Sequence, residues 1–126
     1  MKTNTVYRVE HSFYLDDGPF TSSHSPVGYG VEVCPTHPSI VDDTGFNIMN
    51  WPFSLVCGCS SIEMLRHWFN NDEWVRALNV ARFCIAVYEV PTNELYHGKS
   101  GTQVAFVNDD EYRKERISIL KLLDIR

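Results

Sequence analysis

Phe83-Cys84-Ile85-Ala86-Val87-Tyr88-Glu89-Val90-Pro91 is the stretch on which the fold reading turns. It is almost continuously apolar, rich in β-branched and aromatic residues, and closed by a proline. A run of this length without polar alternation fits a strand buried on both faces, and therefore a central one. Proline cannot donate to a strand ladder, so the predicted strand runs from Phe83 to Val90.

Two helices are predicted on the N-terminal side of this strand. Ser60-Ser61-Ile62-Glu63 has the pattern of a capping box, in which a serine hydroxyl and the Glu63 carboxylate satisfy free amides at a helix start. Ile62, Leu65, Trp68 and Phe69 then share one helical face. Asn70 or Asn71 can cap a second helix, whose positive end Asp72 and Glu73 complement. Its apolar stripe is Trp74, Val75, Leu78 and Ala81. Trp51, Trp68 and Trp74, with Phe53 and Phe69, are expected to build the core. The segment Trp51–Cys59 is apolar before it turns small, and Cys84 reads as a small core residue.

Farther out, Thr5–His11 reads as a strand with Tyr7 and Val9 on one face and Val6, Arg8 and Glu10 on the other. After Pro91, Thr92–Gly101 is a turn-rich link and Thr102–Val107 a strand. Asp109–Arg116 is predicted as a short charged helix. Ile117–Ile125 fits neither helical nor strand periodicity cleanly. Asp16–Asn50 is poorly patterned and holds four of the six prolines. Glycines weaken a short strand at Val27–Cys34. A long irregular segment in a small domain is usually functional or partly disordered. The element order predicts an α+β fold, one compact domain over residues 1–126, with a mainly antiparallel sheet and a helix pair.

The chain has 126 residues, a length suited to one domain, and a net charge of −5. The basic cluster Arg113, Lys114 and Arg116 is diluted by Asp109, Asp110, Glu111 and Glu115. That argues against nucleic acid as a partner, because phosphate binding needs clustered cations. A basic protein partner is electrostatically easier. The N-terminus, Met1 to Arg8, lacks the apolar run of a signal peptide, and no stretch approaches a membrane span. The expected location is the cytoplasm, and no membrane partner is expected.

Four cysteines without a secretory signal point to thiols rather than disulfides. Cys34, His37, Cys57 and Cys59 could supply a zinc set, although Cys57-Gly58-Cys59 is tighter than the usual ligand spacing. No metal is expected on balance. Cys57 or Cys59 near a helix start could instead be a low-pKa nucleophile, with His24, His37 or His67 as its base. The loop His37-Pro38-Ser39-Ile40-Val41-Asp42-Asp43 reads either as a proline-braced turn or as a flap with His37 or Asp42 in contact with a ligand.

Three motifs carry a family resemblance: Val6-Tyr7-Arg8-Val9, Cys59-Ser60-Ser61 leading into Ile62–Phe69, and Gln103-Val104-Ala105-Phe106. In this order they resemble the small ADP-ribosyltransferases. The chain also resembles small uncharacterised phage-encoded proteins over most of its length. The likeness spans Tyr7-Arg8-Val9-Glu10-His11, Gly18-Pro19-Phe20, Ser61-Ile62-Glu63-Met64-Leu65-Arg66-His67-Trp68-Phe69, Val87-Tyr88-Glu89-Val90-Pro91 and the Gln103 motif.

The first resemblance implies an ADP-ribosyltransferase-like fold and NAD as cofactor. It implies transfer to a protein through an oxocarbenium-like state. Arg8 would then pair with a phosphate of NAD, and Ser60 or Ser61 would support the ribose, with His37 a further contact. Gln103 would hold the ribose hydroxyl where the family has a glutamate. Glutamine is neutral and cannot supply the negative charge that stabilises the transition state. Glu89, Asp109 or Asp110 would have to serve, or activity would be weak or absent. Simpler roles stand beside these: an Arg8–Glu10 surface pair, and helix capping by the serines. The alternative function is a phage-type stoichiometric inhibitor that binds a host or defence protein in the host cytoplasm.

Overall fold

The computed structural model describes residues 2–13, 44–45 and 55–124. The expected strand at Val27–Cys34, the flap at His37–Asp43, and Trp51 and Phe53 therefore lie outside the described residues.

The described elements are β1 (Thr3–His11), β2 (Leu55–Gly58), α1 (Ile62–Trp68), α2 (Asp72–Val80), β3 (Phe83–Pro91), β4 (Tyr96–His97), β5 (Val104–Val107) and β6 (Arg113–Ser118). Two 3-10 turns, Thr92–Glu94 and Ile119–Asp124, complete them. The fold is α+β with antiparallel sheets, as the element order predicts. One sheet has the order β1-β3-β6, and the other β2-β5-β4. The central position of β3 agrees with its apolar sequence, but the strand runs one residue past the expected end at Val90, to Pro91, which pairs with Thr3. A single antiparallel bridge, Tyr7 with Cys59, links the sheets through Tyr7 N to Cys59 O at 2.7 Å and Cys59 N to Tyr7 O at 2.8 Å.

Alternation along β1 places Val9 in one core and Val6 in another. The first core packs Val9, Phe83 and Ile85 against Leu65, Phe69, Val75 and Leu78 of the helical region, and against Ile119 and Leu122. The second lies between the sheets and holds Val6, Ala86, Tyr88 and Val90 against Val56, Val104 and Phe106. Gly58 sits where β2 crosses β1. A Cβ there would meet Val6 Cγ1 at 2.7 Å and Tyr7 O at 2.8 Å, so only glycine allows the approach.

Several local expectations change. Ser61 alone caps α1, accepting from Met64 N at 3.1 Å. The helix starts one residue later than the box requires, so Glu63 falls outside the reciprocal position. Asn71 caps α2, accepting from Glu73 N and Trp74 N at 2.9 and 3.2 Å. Trp68 and Trp74 are half-buried, whereas Phe69 belongs to the core. Cys84 is half-buried. No helix forms over Asp109–Arg116: a turn at 109–112 leads directly into β6. The cause is tertiary, since β6 pairs with β3 in a register that sets Ile117 opposite Ile85. Ile117 and Ser118 finish that strand, and the 3-10 turn follows. The apolar segment before Cys59 contributes the short strand β2.

Candidate functional site

The most concentrated chemistry in the described fold is a buried polar cluster on the β1-β3-β6 sheet. Glu10 is fully buried, and so is Tyr88. The Tyr88 hydroxyl donates to Glu10 Oε1. It accepts from Arg113 Nη2 at 2.6 Å. Arg113 Nε donates to Glu10 Oε2 at 3.0 Å, and Nη2 also reaches Asn108 Oδ1 at 2.9 Å. Arg8 Nε forms an ion pair with Glu10 Oε1 at 3.4 Å, and Arg8 Nη1 donates to Cys57 O at 3.4 Å. The guanidinium of Arg113 also lies over the Tyr88 ring, 5.0 Å from its centroid.

Local sequence explains each position. Arg8 and Glu10 are two residues apart on β1, so they share the Val6 face. Tyr88 is paired directly with Val6 and, on its other side, with Arg113. A register irregularity between Val87 and Tyr88 brings Arg113 into place.

The electrostatics follow from burial. Burial opposes charge on Arg113, but hydrogen bonding to Asp110 and the nearby Glu10 charge outweigh it, so its pKa lies above the ordinary arginine value. Burial and the Glu10 carboxylate hold the Tyr88 phenol protonated well beyond its usual range. Glu10 anchors the cluster, its carboxylate facing two guanidiniums and a phenol, with Asp110 supplying a second negative charge to Arg113.

The residues named from sequence are partly brought together. The backbones of all three motifs converge, because Tyr7 bridges Cys59 and the adjacent Gly58 pairs with Val104. The side chains of Arg8 and Gln103 diverge. Arg8 follows Val6 onto the face of the intersheet core. Gly98 N donates to Gln103 O at 3.0 Å, extending the β4–β5 ladder by one step. Pleating then sets buried Gln103 on the face opposite Val104 and Phe106. Arg8 and Glu10 do form a pair, but inside the protein rather than on its surface. Ser61 caps α1 and Ser60 is exposed. Glu89 accepts from Thr5 Oγ1 at 2.6 Å and Thr3 Oγ1 at 3.1 Å. Asp110 pairs with Arg113, and Asp109 accepts from Glu111 N at 2.9 Å.

His37 and Cys34 lie outside the described residues, which leaves Cys57 and Cys59 as the described half of the zinc set. Among the described residues no group of three His, Cys, Asp or Glu could hold a metal ion. Burial, aided by Cys57, pushes the Cys59 thiol far above the usual range, the reverse of an activated nucleophile. A shallow, open hollow at the start of α2 is lined by Arg66, Asn70, Asn71, Asp72 and Glu73, none of them predicted site residues. No described helix is long and apolar enough to cross a membrane.

Sequence reasoning missed Tyr88, Asn108 and Arg113 as parts of one cluster. The available signal was Glu10, a carboxylate in a strand with Val6 and Val9, which requires a cationic partner if both faces are buried.

A family model, Bacteriophage T4 Y00F protein, matches residues 1–120. The chain belongs to this family. No curated protein and no solved structure matches it. Membership bears out the likeness to phage proteins and lends no support to the likeness to ADP-ribosyltransferases. In the Y00F family match, β1, β3 and the whole of β6 are included, so the Glu10–Tyr88–Arg113 cluster falls inside the matched region.

Proposed function

We propose that this Y00F-family chain is a stoichiometric binding protein that acts on a host or defence protein in the host cytoplasm, without NAD turnover. The observation that carries the reading is the use of Arg8. Its guanidinium faces Glu10 and the Cys57 carbonyl, and so serves the fold rather than a nucleotide phosphate.

The charge distribution suggests the kind of partner. Of sixteen acidic residues, five (Asp16, Asp17, Glu32, Asp42 and Asp43) fall within residues 14–54, which contain no Lys or Arg. The other eleven acidic residues balance the eleven Lys and Arg outside that segment. The entire net charge of −5 thus arises from one stretch, which favours a partner with a basic surface. The test is co-purification of a tagged chain with its partner from host extract at rising salt. Recovery should be independent of NAD and lost at high ionic strength. It should also be lost in a variant with Asp16, Asp17, Asp42 and Asp43 changed to Asn. Recovery by that variant equal to the parent would overturn the reading.

Convergence of the three motif backbones favours a second reading, an NAD-dependent ADP-ribosyltransferase with Gln103 in place of the family glutamate. Calorimetry with millimolar NAD decides between them. Saturable binding, together with NAD cleavage gained in Gln103→Glu, would establish the transferase reading. Absence of heat in both proteins would remove it.

A further inference from the structure

We draw no further inference here: the strongest candidate, the exposed outer edge of β6 at Lys114, Glu115 and Arg116, is a sheet edge with nothing in the structure to show what covers it.

Discussion

Glu10 and Arg113, 103 residues apart, meet through a 3.0 Å hydrogen bond that spans the central strand of the three-stranded sheet. Strands two apart in a sheet are separated by roughly 9–10 Å, a gap that only a long side chain can cross. Tyr88 lies in the strand between them and supplies a hydroxyl to both. The interaction therefore ties β1, β3 and β6 into one unit. It also explains why a carboxylate can sit fully buried in a strand.

Glu10→Ala should destabilise the fold by about 3–5 kcal/mol, because it removes the carboxylate that faces the buried Arg8 guanidinium and leaves Arg113 only the exposed Asp110 as counter-charge. Glu10→Gln should cost less, since an amide oxygen still accepts from Arg113. Chemical denaturation of both variants, with Arg113→Ala and the double variant, gives the coupling energy. A coupling near zero would show that the pair does not act as one unit.

Gly58→Ala should lower stability by about 1–3 kcal/mol, the usual range for overpacking a tight interior. The blocking atoms include the Tyr7 carbonyl, which is backbone and cannot rotate away as a side chain can. A thermal melt checks this, and an unchanged midpoint would mean that the sheets are not held so closely.

The two ends of the apparent capping box should behave differently. Ser61→Ala should cost about 1 kcal/mol through loss of the cap to Met64 N. Glu63→Ala should cost only a few tenths of a kcal/mol, its remaining role being a favourable charge near the helix start. Equal losses in denaturant titrations would show that Glu63 supports the helix start as much as the Ser61 cap does.

Stability should fall at alkaline pH partly through Cys59. Burial raises its folded pKa above the ordinary 9.0, so the folded state holds the proton more tightly than the unfolded chain. The contribution is fully present below the ordinary value. It declines as pH rises above it toward the folded pKa. Denaturation midpoints between pH 8 and pH 11 (a range of roughly two units above the ordinary thiol value) should drop less steeply in Cys59→Ala than in the parent. Parallel curves would assign the alkaline loss elsewhere, with the Tyr88 phenol as the next group to test.

Much of the local structure was legible. The apolar run at Phe83, the alternation at Val6–Glu10, a cap at Asn70 or Asn71 and the stripe through Val75 and Leu78 each reflect interactions within a few residues of chain. β6 was not legible. Arg113-Lys114-Glu115-Arg116 has the composition of a solvated helix, and it becomes a strand because β3 offers an edge to pair with. The site was harder still. Arg8 and Gln103 look equivalent as polar residues in strand-like motifs, yet Arg8 lies in one sheet and Gln103 borders the other, and Arg8 turns to Glu10 inside the fold.

By itself, the sequence determined the α+β element order, a central strand beginning at Phe83, helix starts near Ser61 and Asn71, and a net charge concentrated in residues 14–54. Tertiary structure decided that Glu10 is an internal anchor for Arg8 and Arg113, that Gly58 marks a backbone crossing, and that Arg8 of the first transferase-like motif turns to Glu10 and the Cys57 carbonyl. Periodicity and capping are encoded by near neighbours along the chain. The pairing of charges 103 residues apart depends on which strands become neighbours and in what register, which no local pattern specifies.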